Sequence, residues 1–192
     1  MTCASLHPPR GDAAHMARTF AAVVPEFRTE RLVLRAPRLD DYPAYETVFR
    51  SDRARHMGGP FDAAAAFADF CQGVAGWLLR GAGMWTICRH GEDAPLGWLS
   101  LWQEFNDPEP ELGWVLCAPA EGQGYAHEAA SAVLPHATAL YGAGGFVSYV
   151  GPDNLRSARL AERLGARRDH AAERALGNTL LVYRHMEAEN RK

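Results

Sequence analysis

Lysine is almost missing from this chain: nineteen of the twenty basic residues are arginine, and the one lysine is Lys192. A Gly-x-x-x-x-Gly-Lys-Ser/Thr phosphate loop is therefore impossible, which counts against a nucleotide-binding phosphotransferase. The arginines are scattered and read as compositional bias rather than as a phosphate-binding adaptation. Cysteine is also scarce. Cys3, Cys71, Cys88 and Cys117 form no Cys-x-x-Cys pair and have no spacing suited to zinc, so free thiols in a reducing compartment are expected. His127-Glu128 starts a zinc-protease pattern, but Ser131 stands where the second histidine is needed, and no metal is expected. Ser157 lacks the Gly-x-Ser-x-Gly elbow of a hydrolase. No apolar run approaches the length of a membrane span. The opening MTCASLHPPRGDAAHMARTF lacks the continuous apolar stretch of a secretory signal, so a cytoplasmic protein with no membrane partner is expected. A formal charge of −3 gives no global pull toward nucleic acid. Trp77, Trp85, Trp98, Trp102 and Trp114 read as core and cleft walls rather than as a base-stacking platform.

What is present is enough for one domain. The 192 residues are 47% hydrophobic and 22% charged, ordinary for a globular protein with a sizeable core. Residues 1–26, with Pro8, Pro9 and Gly11, read as a flexible tail in which Met16 is an alternative start to Met1. Residues 27–186 read as the folded domain and 187–192 as a C-terminal tail. Arg31 to Arg35 is a short β signal. Asp40 is placed to cap a helix over about Tyr42 to Ser51, and a second helix follows Asp62, with Phe67, Phe70, Val74, Trp77 and Leu78 on one face. Strands are expected at Met84–Arg89, Leu96–Gln103 and Glu111–Cys117. Ala126, Ala129, Ala130, Val133, Ala137, Leu140 and Tyr141 mark a long helix that Pro135 would kink. Phe146–Val150 reads as a strand, Asp153 or Asn154 as the cap of a helix ended by Gly165, and Arg168–Arg174 and Thr179–His185 as two closing strands. The result is a mixed α/β domain with no repeat and no internal linker.

Three places carry chemistry. Gly122, Gln123, Gly124, Tyr125 and Ala126 lie where a strand gives way to a helix. Glycine allows close backbone approach there, and the free amides of the first turn favour an anion such as a pyrophosphate. A plain helix-starting turn is the structural alternative. Asn154 and Ser157, three residues apart at the next helix start, are placed to bond an extended amide-containing ligand, or simply to form a cap. Glu111 opens an otherwise apolar strand. At the mouth of a cleft its pKa would rise into the range of a general base, and on a solvent-facing strand end it would do nothing.

Together these segments resemble the GNAT N-acetyltransferases, and most nearly the branch similar to the RimJ/RimL ribosomal-protein N-terminal acetyltransferases. Phe27 to Arg35 resembles that branch's opening strand, Asp40-Asp41-Tyr42 its first helix, and Leu96 to Leu101 and Glu111 to Leu116 its third and fourth strands. Gly122 to Ala129 resembles its CoA-binding loop and helix, and Asn154 to Ala166 its second CoA-contacting segment. The resemblance spans about Phe27 to His185. It implies a single GNAT-like α/β (α+β) domain whose mixed, mostly antiparallel sheet, flanked by helices, splays between Glu111–Cys117 and Phe146–Val150. Acetyl-CoA would be the co-substrate, with no metal. Its pantetheine would lie against backbone at Trp114, Val115 and Leu116, its pyrophosphate on Gly122 to Ala126, and Asn154 would contact the pantetheine or order the cleft.

The resemblance further implies direct attack of a primary amine on the thioester in a ternary complex, with a strand amide near Leu116 stabilising the oxyanion. Glu111 would be the base, and Ser157 would protonate or bond the departing thiolate. An α-amine of pKa roughly 8 asks less of that base than a lysine of roughly 10.4, which leans toward protein N-termini. Two positions depart from the family pattern. Glu121 stands where Gln or Arg is common, and Ala161 where many relatives carry a Tyr acid. They leave open a non-catalytic acyl-CoA-binding or protein-interaction module on the same fold. Acceptor choice, whether a peptide N-terminus or a small-molecule amine, is assigned to about Asp52–Gly83 and Gln103–Pro110. Monomer and homodimer both stay open.

Overall fold

In the computed structural model, which describes residues 6–186, eight strands form one sheet. They are β1 (Phe27–Arg28), β2 (Leu32–Arg35), β3 (Met84–Arg89), β4 (Gly97–Trp102), β5 (Glu111–Leu116), β6 (Val147–Val150), β7 (Arg167–Arg168) and β8 (Leu181–Arg184), in the order β1-β2-β3-β4-β5-β6-β8-β7. The helices are α1 (Gly11–Ala21), α2 (Tyr42–Phe49), α3 (Ala63–Arg80), α4 (Tyr125–Tyr141), α5 (Leu155–Arg163) and α6 (His170–Ala175). All pairings are antiparallel except β5 with β6.

Alternation along the strands divides the core into two layers. Leu32, Leu34, Trp85, Ile87, Leu99, Leu101 and Leu112 face Ala129, Ala130, Val133 and Ala137 of α4. The opposite face sets Met84 and Trp98 against Tyr42, Tyr45 and Val48 of α2 and Ala66 and Phe70 of α3. Between α2 and the sheet, Asp41 accepts both terminal nitrogens of Arg35 at 2.8 Å, together with the Thr86 hydroxyl and the Arg38 amide. A third cluster packs Ala158 and Ala161 of α5 on Val150 and Tyr183.

Three sequence expectations are corrected. Within the expected flexible tail, residues 11–21 form a helix, built of Ala-rich sequence with Asp12 in its first turn and Arg18 in its last, although none of its residues is buried. The single opening strand is a hairpin, turned by the Thr29 amide bonding the Leu32 carbonyl at 3.0 Å. The strand expected at Arg168–Arg174 shrinks to two residues and gives way to α6. Asp169 caps that helix by accepting from the amides of Ala171 and Ala172, and Ala-rich sequence favours it. Helix α4 runs unbroken through Pro135. The expected C-terminal tail at 187–192, Cys3 and Met1 lie outside the described residues.

Candidate active site

The parallel pair β5–β6 has one register pair, Glu111 with Val147, at the start of both strands. The Val147 amide bonds the Pro110 carbonyl at 3.0 Å, and beyond that point no further β5–β6 register pair exists among the described residues. The sheet therefore opens toward Leu116 and Val150, leaving the β6-facing edge of Gly113 to Leu116 available to a ligand backbone.

Glu111 sits at the vertex of this opening. Its neighbours across β4 are Trp102 at its own position and Ser100 at Gly113, so it lies on the face covered by α2 and α3. Gly113 keeps space beside the carboxylate: a Cβ there would stand 2.6 Å from the Ser100 hydroxyl and 3.8 Å from Glu111 Oε1. The Tyr149 amide donates to Glu111 Oε1 at 3.3 Å. Burial pushes the Glu111 pKa up to about 8. The Tyr149 bond opposes the rise, and the negative charges of Asp107 and Glu104 add to it. The same face holds Asp69, whose carboxylate accepts a short bond from the Tyr45 hydroxyl and whose pKa is raised by burial.

Ser157 lies on the other face. The indole of Trp114 points to the α4 side, packs against two core clusters and donates to Ser157 Oγ at 3.3 Å. Asn154 Oδ1 accepts the Ser157 amide at 3.2 Å, so the capping alternative is realised at Asn154. Glu111 and Ser157 thus approach the opening from opposite sides of the sheet. A reaction using both groups must have its reacting atoms in the gap itself.

At the glycine loop, Gly122 and Gly124 have φ of +75° and +80°, left-handed values that glycine accepts without strain. Gly124 is the N-cap of α4 with no side-chain cap, so the amides at the start of this 17-residue helix keep their capacity for an anion. Gln123 braces the loop, donating to the Pro119 carbonyl at 2.8 Å. Tyr125 is buried. Its ring carries the Arg31 guanidinium at 4.7 Å, and its hydroxyl accepts from Arg89 Nε at 3.1 Å. An open depression of about 700 Å³ adjoins the loop, lined in part by Thr29, Arg31, His127, Glu128 and Arg163.

The two departures from the family pattern find physical explanations. Glu121 does not face the loop as a bare charge: one oxygen pairs with Arg53 Nη2 and the other with Arg156 Nη1, at 2.7 Å for the latter. Its pKa stays below the ordinary value, the two guanidiniums outweighing its partial burial. Ala161 is fully buried in the packing of α5 on the sheet and presents nothing to the cleft. Sequence reasoning missed Arg31, Arg53, Arg89 and Arg156 because scattered arginines carry no motif. Their grouping around one loop exists only in the fold. Among the described residues no cluster of His, Cys, Asp and Glu could hold a metal ion, and no helix is long and apolar enough to cross a membrane.

Comparison with known proteins agrees with this geometry. Residues 31–167 match the family model described as the acetyltransferase (GNAT) domain. The chain is 27% identical over 145 residues to the uncharacterized N-acetyltransferase YnaD of Bacillus subtilis, covering 73% of this chain and 82% of that protein. The crystal structure of an acetyltransferase from Agrobacterium tumefaciens is 38% identical, with a TM-score of 0.79, covering 85% of this chain and 95% of that one. The microcin C7 self-immunity acetyltransferase MccE, solved with acetyl-CoA and AMP, shares the fold at 16% identity and a TM-score of 0.62, covering 82% of this chain and 93% of that one.

Proposed function

The chain belongs to the GNAT acetyltransferase family, whose chemistry is acetylation by acetyl-CoA, and we propose that it acetylates a primary amine by direct attack within a ternary complex. The observation that carries this reading is Glu111, held at the vertex of the sheet opening with a pKa of about 8. A base is most effective when its pKa lies near the operating pH. An α-amine at roughly 8 matches it, and a lysine side chain at roughly 10.4 does not. The acceptor of this reading is therefore a peptide N-terminus or a small amine of similar pKa, in keeping with a RimJ/RimL-like branch.

The residues in place support the following sequence of steps. Acetyl-CoA enters the gap with its pantetheine along Trp114, Val115 and Leu116, and its pyrophosphate rests on the amides of Gly122 to Ala126. The amine approaches from the α2–α3 face, where Asp69, Glu104 and Asp107 favour its protonated form on arrival. Once ionised, Glu111 removes the ammonium proton, and the freed nitrogen attacks the thioester carbon. A β5 amide near Leu116 stabilises the oxyanion. Collapse breaks the C–S bond and expels the CoA thiolate on the α5 side, near Ser157, and the second proton shed by the acylated nitrogen passes to that thiolate or to water. Since a free thiol has a pKa of roughly 8.5, that departure needs little help from an acid. Asn154 orders this side of the gap through its cap on Ser157.

A non-catalytic acyl-CoA-binding module on the same fold drew its support from Glu121 and Ala161. The pairing of Glu121 with two arginines weakens that alternative, whereas Ala161, buried in the packing of α5, supplies no acid in place of the family's Tyr. Two measurements test the reading. Calorimetric titration should show micromolar binding of acetyl-CoA and CoA and none of ATP. Initial velocities with both substrates varied should give intersecting lines, whereas parallel lines would point to a covalent acetyl-enzyme and against direct attack.

A further inference from the structure

The mouth of the opening is bridged by three charged residues from three separate elements. Glu121 immediately precedes the glycine loop, Arg53 comes from the short turn at Asp52–His56 between α2 and α3, and Arg156 comes from the first turn of α5. Each Glu121 oxygen takes one guanidinium. Arg53 Nη2 also donates to the Leu116 carbonyl at 3.2 Å, at the end of the strand that borders the gap. Arg53 Nε is buried and has no hydrogen-bond partner among the described residues, which leaves a donor unused at this spot. The Arg156 side chain, by contrast, is 71% exposed and free to turn. Two positive charges therefore face one negative charge, beside a loop whose amides already favour an anion.

We propose that Glu121 is a built-in competitor for the cofactor's phosphates: it holds Arg53 and Arg156 together in the free protein, and both arginines pass to the pyrophosphate when acetyl-CoA binds. The inference rests on the acetyl-CoA reading above and deepens it. The carboxylate occupies the arginines as a phosphate would, and keeps them from forming bidentate pairs elsewhere. A pyrophosphate carries more charge and more acceptor oxygens than one carboxylate, so it wins the exchange while Glu121 lowers the net affinity. Glu121 and the two arginines are in this view positioning and binding residues, with no part in the chemical step.

The test compares two acetyl donors, acetyl-CoA and acetyl-pantetheine, which lacks the pyrophosphate. Glu121→Gln should lower Kd and KM for acetyl-CoA by about threefold to tenfold, the range expected from two partly exposed ion pairs. Its effect on KM for acetyl-pantetheine, which brings no phosphate to the arginines, should be much smaller. Arg53→Met and Arg156→Met should each weaken acetyl-CoA and spare acetyl-pantetheine. Thermal melts confirm that each variant is folded. If wild type binds acetyl-CoA and Glu121→Gln binds it no better, or if both donors shift together, Glu121 is a structural link and the proposal falls alone. If neither wild type nor variant binds acetyl-CoA, the cofactor reading falls and this proposal with it.

Discussion

Replacing Glu111 with glutamine should make the protein more stable at alkaline pH while removing its activity. Holding a carboxyl at about 8 instead of its ordinary 4.5 means that the folded state prefers the protonated form. The folded state then binds more protons than the unfolded chain between those two values, so stability falls as pH rises through that window. The ceiling is roughly 5 kcal/mol at about 1.36 kcal/mol per pH unit. Glu111 is only partly buried and keeps the Tyr149 amide as a partner, so about 2 kcal/mol is the expected size. For a domain of this length that corresponds to a melting-point difference of about 4–8 °C. The assay is denaturant or thermal unfolding of wild type and Glu111→Gln at about pH 5 and about pH 9, reading the difference between the two proteins so that other titrating groups cancel. The gap in favour of the variant should be small at the lower pH and large at the higher. An equal gap at both values, or one that closes as pH rises, would refute the placement of Glu111 in a desolvating vertex.

The same carboxyl sets a kinetic limb. With saturating amine, kcat should rise with pH and level off above about 8, and Glu111→Gln should flatten the profile and lower kcat by about 100-fold or more. Asp41→Ala should cost about 3–5 kcal/mol in denaturant melts, because it strands the buried Arg35 guanidinium. Gly97→Ala should cost about 1–3 kcal/mol and raise KM for acetyl-CoA. Its Cβ would lie 2.2 Å from the Val115 carbonyl and 2.7 Å from Leu116 Cα, displacing the strand that borders the gap. Ser157→Ala should lower kcat less than about tenfold if the thiolate leaves unaided, whereas Asn154→Ala should cost about 1 kcal/mol of stability through the lost cap.

The elements that the sequence displayed were those with a local signature. Asp62 accepts the Ala65 amide and starts α3 where the Ala-rich run begins, and Gly165 at φ +86° ends α5. The β3 and β4 strands alternate with turn residues as their pattern required. The misread segments had competing local signals. Pro8, Pro9 and Gly11 masked the Ala-rich helix behind them, and the Asp169 cap was read as part of a strand. At the site, the glycine loop and the Asn154 cap were legible because they are contiguous. The environment of Glu111 was not, since its partner Tyr149 lies 38 residues away and its desolvation comes from the sheet's vertex. Nor was the fate of Glu121, which depends on Arg53, 68 residues before it, and Arg156, 35 residues after it. Charge grouping across a fold has no period for a sequence to show.

The most direct test of amine acetylation is to follow free CoA thiol and acetylated product together. The substrates are acetyl-CoA and a panel of peptide α-amines, small amines and lysine side-chain amines, tested with wild type and Glu111→Gln. The account predicts equal amounts of thiol and acetylated amine from wild type, fastest for amines of pKa near roughly 8, and only a small residual rate from the variant. Thiol release without acetylated amine, or a Glu111→Gln variant as fast as wild type, would contradict it.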